Sequence, residues 1–146
     1  MKNTKKNGFT LIELIIVMVI LGVMSAIAIP RYLDSISNAE ESTEDAVISN
    51  IRSGLRQAAS DSLYANGRES WPTNPFDVLK EAPAGYSGEG DLAAEDGEWT
   101  FIDNGDGTGS ITHQRADNSR YQWDYSAGIQ TGDVAVVGSL GQREDS

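Results

Sequence analysis

Polarity changes abruptly near the start of the chain. Residues 1–7, "MKNTKKN", carry three lysines, and residues 9–29 then run for 21 positions with one charge, Glu13. A run of about 20 apolar residues has the length of a membrane-crossing helix. Beyond Arg31 the pattern becomes one-sided: Val47, Ile48, Ile51, Leu55, Ala58, Ala59 and Leu63 recur at helical spacing among polar residues. Such a stripe must pack against something. Asn66-Gly67 is a stop signal. The pattern predicts helix from about Phe9 to Ala65, with Pro30 as a bend point.

After Gly67 the period changes. Residues 67–98, "GRESWPTNPFDVLKEAPAGYSGEGDLAAEDGE", are rich in Pro and Gly and read as a long loop with one helical turn at Pro75–Lys80. "WTFID-NGDGTG-SITHQ" reads as a hairpin, two β-rich runs around a glycine-rich turn. "SRYQWDY" alternates and places Tyr121, Trp123 and Tyr125 on one face; "IQTGDVAVV" is a further apolar strand. "GSLGQREDS" is polar and is expected to fray. The predicted class is α+β: a long N-terminal helix whose amphipathic half packs on a small antiparallel sheet. The segments are a leader 1–8, a transmembrane or assembly helix 9–30, an amphipathic helix 31–66, a loop 67–98, a sheet 99–138 and a polar tail 139–146.

Charge narrows the partners. The formal net charge is −11, and setting aside Lys2, Lys5 and Lys6 leaves 8 basic against 22 acidic residues. So acidic a body is unsuited to nucleic acid, which needs a basic patch. It is equally unsuited to lying flat on anionic lipid. The absence of cysteine removes disulfides, thiolate catalysis and Cys-ligated zinc. Lysines before the apolar run predict a cytoplasmic N-terminus.

Glu13 is the anomaly. A carboxylate inside a membrane helix costs about 2.5–3.5 kcal/mol. A secretory signal peptide fits the basic start, the apolar middle and the small-x-small site Ala26-Ile27-Ala28. The length of the run and Glu13 within it count against that. A plain membrane anchor explains the length but leaves Glu13 without a purpose. The string "KKNGFTLIELIIVMVILGVMSAIAIP" resembles the N-terminus of type IV pilins and type II secretion pseudopilins over residues 5 to about 35.

That resemblance implies cleavage between Gly8 and Phe9 by a prepilin peptidase, followed by N-methylation of Phe9. It implies that Glu13 pairs with an N-terminal amine, in its own subunit or a neighbour, and so sets register during assembly. Positions i and i+4 share a helix face, and a charge left unpaired in a low-dielectric core is penalised. Gly22 and Pro30 are weak points in the helix; in similar filaments the segment between two such residues extends on assembly. "NPFDVLKEAPAGYSGE" followed by "GEWTF" resembles the loop of some minor pilins and pseudopilins, notably those near mannose-sensitive haemagglutinin systems.

Catalytic signals are sparse. His113 is the only histidine and falls in a predicted strand, where a half-exposed position is the ordinary expectation. No G-x-S-x-G, P-loop, G-x-G-x-x-G or H-E-x-x-H occurs. Trp71, Trp99 and Trp123 read as core or loop anchors. Glu40, Glu41, Glu44 and Asp45 read as a solvated helix face, with an inter-subunit contact to Arg31, Arg52 or Arg56 as the weaker alternative. Glu89, Asp91, Glu95, Asp96, Glu98, Asp103 and Asp106 lie in a stretch without Lys or Arg. Oxygen-rich loops suit calcium, and major pseudopilins, by resemblance, are calcium-stabilised. However, "DNGDG" lacks EF-hand spacing and Gln114 stands at the twelfth position from Asp103. Asn-Gly and Asp-Gly instead signal a turn over Asp103–Gly109. No cofactor or metal site is assigned.

The expected function is a structural, non-enzymatic subunit of a type IV pilus-like filament. Its partners would be other pilins, a prepilin peptidase, inner-membrane assembly machinery and, before assembly, lipid. A periplasmic pseudopilin of a type II secretion system is the alternative within the machinery. A membrane-anchored or secreted binding module is the alternative from another class. The expected location is the inner membrane, single-pass with the globular part periplasmic, then a surface pilus or periplasmic pseudopilus.

Overall fold

The computed structural model describes residues 8–128 and 136–146. The leader lysines and most of the apolar segment Ile129–Val137, expected as a strand, lie outside the described residues. Two compact units divide at Ser42 and Thr43, and α1, Leu11–Asn66, runs from the first into the second.

In the first unit α1 has Glu13 as its one charge from Leu11 to Ile29. Its large side chains are open, from Leu11 at 76% exposed to Met18 at 72% and Leu33 at 58%. The helix continues through Pro30, whose ring nitrogen cannot donate to the carbonyl one turn back. Among the described residues this is a helix long and apolar enough to cross a membrane.

The second unit begins with the amphipathic part of α1. Ile48, Ile51, Leu55 and Ala59 are buried at three- and four-residue spacing. The helix stops as expected at Asn66, where Gly67 turns to φ 70° and its N–H donates to the Leu63 carbonyl at 2.9 Å. A positive φ there favours glycine. The expected turn after Asn74 is a 3-10 turn, Pro75–Val78, capped by Asn74 Oδ1 accepting from Phe76 N–H at 2.9 Å.

The sheet runs β1 (Tyr86–Glu89), β2 (Trp99–Asp103), β3 (Thr108–Gln114), β4 (Arg120–Ser126), β5 (Ser139–Leu140) and β6 (Glu144–Asp145). Spatial order is β1-β2-β3-β4-β5, with β6 also on β4. The expected hairpin is β2–β3, registered Trp99↔His113 and Phe101↔Ile111. In β4 the alternation holds, with Trp123 and Tyr125 buried and Tyr121 packed at the core's margin. The helix stripe, Trp99, Phe101, Ile111, Trp123 and Tyr125 form one core. Stacked rings build its centre, with Trp99 5.6 Å from Trp123 and 4.2 Å from His113.

Two features differ from expectation. First, the 67–98 stretch contains a strand: β1 pairs with β2, and in parallel, so the sheet is not purely antiparallel. Second, the polar tail does not fray: β5 and β6 both pair antiparallel with β4. Between them three tail residues, 141–143, face two residues of β4, 123 and 124. A one-residue bulge of this kind re-aims a side chain.

Candidate functional site

Gly8 and Phe9 precede the helix, and Phe9 is 85% exposed. Immediately after them Thr10 and Glu13 bond reciprocally. Glu13 N–H donates to Thr10 Oγ1 at 3.3 Å, while Glu13 Oε2 accepts from Thr10 N–H at 2.8 Å and from Thr10 Oγ1 at 2.9 Å. This is a capping box, Thr-x-x-Glu, in which two backbone donors of the first turn find acceptors. The spacing is legible in "TLIE". Glu13 Oε1 stays open to another donor. A Cβ added at Gly22 would meet nothing within 4 Å apart from the helix's own backbone. Gly8, Phe9, Glu13, Gly22 and Pro30 therefore all belong to one exposed apolar helix and its entry.

A second cluster overturns the solvated-face expectation for Glu44, which is fully buried. Its Oε1 accepts from Arg115 Nε at 2.7 Å and from His113 Nδ1 at 2.8 Å, and its Oε2 accepts from Arg115 Nη2 at 2.6 Å. Arg143 Nε lies 3.2 Å from the same Oε2, and its Nη2 also pairs with Asp45. The ring of Tyr121 lies 4.1 Å below the Arg115 guanidinium and 5.9 Å from that of Arg143. Burial opposes ionisation of Glu44, but hydrogen bonds from Arg115 and His113, with the Arg115 charge, outweigh it and lower its pKa to about 2. An ionised carboxylate only accepts, so His113 Nδ1 carries the proton.

His113 is thus buried, not half-exposed, and is tied up by Glu44 and Trp99. Arg115 and Arg143 went unremarked in the sequence. Trp99 and Trp123 are core residues and Trp71 is partly buried against that core. Arg52 donates to the Gly141 carbonyl at 2.6 Å.

The acidic loops close on themselves. Asp103 Oδ1 accepts from Gly105 N–H at 2.8 Å, and Asp106 Oδ1 accepts from Thr108 N–H at 2.9 Å and its hydroxyl at 2.6 Å. These bonds, the Thr108 hydroxyl's first, hold the Asp106 carboxyl below its ordinary range. They make the turn expected over Asp103–Gly109. Among the described residues no three His, Cys, Asp or Glu side chains converge as metal ligands would. The cleft of about 420 Å³ over Asn104, Ser110, Asp124 and Ser139 presents hydroxyls, an amide and a carboxylate without a base-activated nucleophile.

Comparison with known proteins agrees with the exposed helix. Residues 3–29 match the family model described as the prokaryotic N-terminal methylation motif. The chain is 31% identical over 116 residues to a fimbrial protein of Neisseria meningitidis, covering 80% of this chain and 61% of that one. It is 38% identical over 72 residues to the type IV major pilin protein PilE1 of Neisseria gonorrhoeae, 49% of this chain and 40% of the relative. It is 47% identical over 49 residues to the type IV narrow pilus major component PilA5 of Thermus thermophilus, 34% of this chain and 42% of the relative. The chain therefore spans 61% or less of the length of each of these relatives. No solved structure matches. The family model and these relatives support the resemblance to type IV pilins drawn from "GFTLIE".

Proposed function

We propose that the chain is a structural subunit of a type IV pilus, held in the membrane by its apolar helix before assembly and polymerised through that helix. One observation carries this: a helix with Glu13 as its one charge from Leu11 to Ile29, and with its large apolar side chains open from Leu11 to Leu33. Such a helix is stable in water only when lipid or other helices cover it. The two covers correspond to the two stages, inserted precursor and packed filament. Lys2, Lys5 and Lys6 orient the precursor with its N-terminus in the cytoplasm and residues beyond Pro30 in the periplasm. Prepilin peptidase cuts after Gly8, Phe9 is methylated, and the inner-membrane machinery extracts the helix into the filament.

Glu13 acts at that extraction. Oε2 is held by Thr10, which fixes the carboxylate at the head of the helix and leaves Oε1 for the amine of Phe9 or of a neighbouring subunit. A subunit one position out of register would leave this charge unpaired in an apolar core. Gly22 and Pro30 bound the segment able to extend.

A periplasmic pseudopilus would use the same helix. The relatives' names, fimbrial protein and pilus component, favour the surface pilus. The test is fractionation of cells carrying a tagged chain. Recovery in sheared surface filaments supports a pilus subunit, confinement to the periplasm supports a pseudopilin, and a soluble secreted chain without the helix refutes both.

A further inference from the structure

Several basic side chains of this acidic chain are already engaged. Arg115 and Arg143 face Glu44, and Arg120 donates to the Ala93 carbonyl and to Gln114. Arg52 and Arg56 differ. They stand one turn apart on the same side of α1, where like charges repel. Arg52 uses one N–H on the Gly141 carbonyl, and Arg56 is exposed and has no partner among the described residues. Both line a cavity of about 350 Å³ with Trp71, Leu140 and the backbone of Gly138, and among the described residues no carboxylate lines it. Trp71 stacks on Tyr125 with ring centroids 6.0 Å apart. Gly138 lets the backbone lie against that indole, since a Cβ there would fall 2.4 Å from an indole carbon. The cavity thus joins an apolar wall to two guanidinium groups that face no anion.

A matching surface lies on the other face of the sheet. Thr112 alternates with Ile111 and His113 along β3, so its side chain points away from α1. Ala93 N–H donates to Thr112 Oγ1 at 2.9 Å, and the Ala93 carbonyl accepts from Arg120 Nε at 2.7 Å. Glu98 Oε2 accepts from the N–H groups of Ala94 and Glu95 at 2.7 and 3.1 Å. So pinned, "DLAAED" presents Leu92, 44% exposed, between exposed Asp91 on one side and exposed Glu95 and Asp96 on the other. The side chains of these three acids have no partner among the described residues. The loop offers an apolar tip flanked by carboxylates, and the cavity offers an apolar wall flanked by guanidinium groups. Arginine–carboxylate contacts are among the strongest hydrogen bonds, and complementary charge selects a partner.

We propose that the cavity of Arg52, Arg56, Trp71 and Leu140 is a socket for the 91–96 loop of a second copy of this chain, with Leu92 against Trp71 and Leu140 and the flanking carboxylates on the two guanidinium groups. Such a contact rests on the filament reading, since it needs copies repeated side by side. Socket and loop lie on opposite faces of one sheet, so a copy does not fill its own socket and each leaves a loop for the next. A contact between two different patches runs head to tail, and where its rotation does not close a ring it builds an open helical filament.

Charge exchange tests the pairing, in cells lacking the wild-type chain and carrying the full chain with Arg56→Glu, with Glu95→Arg and Asp96→Arg together, or with all three. Arg56, Glu95 and Asp96 are exposed and without side-chain partners among the described residues, so none of these changes removes a contact within the subunit. Sheared and periplasmic filaments are scored per membrane-bound chain, which corrects for any loss of folded subunit. Arg56→Glu and the loop change should each lower the yield about tenfold or more, because like charges then meet. All three together should return it to within about threefold of wild type, since the attraction is restored with its signs exchanged. Wild-type yield from both Arg56→Glu and the loop change overturns the socket and leaves the filament reading standing. A loss in one of them alone, or a loss that the three together do not restore, overturns the loop as the occupant. Absence of the wild-type chain from every filament overturns the filament reading, and the socket with it.

Discussion

Glu44 and Arg115 stand 71 positions apart in sequence and meet through two hydrogen bonds, of 2.6 and 2.7 Å, inside the core. The pair joins the amphipathic part of α1 to the end of β3, and Glu44→Gln should test how far the second unit depends on it. The amide keeps the size and removes the charge that buried Arg115 meets through two hydrogen bonds. Removing one partner of a buried pair costs about 3–5 kcal/mol. The expected result is a denaturant midpoint well below wild type. A loss under about 1 kcal/mol would mean that the cluster is solvated in solution, since exposed pairs contribute no more than that.

The same carboxylate sets an acid limit. Its pKa falls from 4.5 to about 2 on folding, so the folded state binds fewer protons. Its contribution is therefore complete above the unfolded value. It begins to fade as pH drops below about 5 and is gone near pH 2. The size is about 3 kcal/mol. Unfolding free energy measured from pH 7 to pH 2 should be flat at first and then fall. Glu44→Gln should start lower and show a shallower decline that is not flat, because Glu98, Asp106 and Asp117, also held below their ordinary range, remain. An unchanged acid slope in the variant would assign that slope to other groups.

Two glycines of one helix should answer the same substitution oppositely. Alanine is about 1 kcal/mol better than glycine in a helix. At Gly22 nothing outside the helix meets an added Cβ, so Gly22→Ala should strengthen it. At Gly54 the Cβ would fall 2.5 Å and 2.8 Å from Val78 side-chain carbons, where the 3-10 turn packs on the helix. Overpacking of this kind costs about 1–3 kcal/mol. Gly54→Ala should therefore lower the melting temperature of the second unit despite its better propensity. If Gly22 is a point of extension in the filament, Gly22→Ala should also reduce filament yield. Unaltered yield would remove that role.

The helix, the β2–β3 hairpin and the aromatic alternation of β4 were legible because each is encoded by neighbours: apolar spacing, "NGDG", and Tyr121, Trp123, Tyr125 two apart. The Glu44 cluster was not, because its partners lie 69 to 99 residues away. Locally, four acids in six residues look solvated. One signal was available: Glu44 continues the stripe Ile48, Ile51, Leu55 at four-residue spacing, whereas Asp45 falls off it and is exposed. β1 is not legible because Gly88 within it and Gly85 and Gly90 beside it argue for a turn, and its pairing comes from β2. The pairing of the tail is not legible because "GQRED" is polar, and its partners, β4 for the backbone and Glu44 and Asp45 for Arg143, are distant in sequence.

The mature protein should begin at Phe9 with one added methyl on its amine. The Gly8–Phe9 junction and the residues 3–29 match to the methylation motif support this. N-terminal mass spectrometry of membrane-extracted protein reads it directly. A terminus at Ile29 would instead indicate an ordinary signal peptide and remove the assembly helix. Replacing Gly8 with a bulky residue should leave full-length precursor in the membrane; normal maturation of that variant would refute the junction.

One pair of substitutions separates the observed cap made by Glu13 from its proposed role in register. Its hydrogen bonds with Thr10 stabilise the start of the helix, and glutamine serves in such a box as glutamate does. Its charge is what the proposed register needs. Glu13→Gln therefore keeps the cap and loses the charge, while Glu13→Ala loses both. The cap is worth about 1 kcal/mol, whereas a buried charge pair with one member removed loses about 3–5 kcal/mol. If charge governs assembly, both variants should be processed, abundant and membrane-bound, and both should fall in filament yield by at least about tenfold. If the cap governs it, Glu13→Gln should assemble as wild type does and Glu13→Ala alone should fail. The measurement is the sheared-filament fraction from cells lacking the wild-type chain. Total filament number must be scored alongside the amount of this protein, because a subunit that only initiates or caps filaments changes the first without dominating the second. A drop in number with little of this chain per filament would make it an initiating subunit; a parallel drop in both would make it the bulk one.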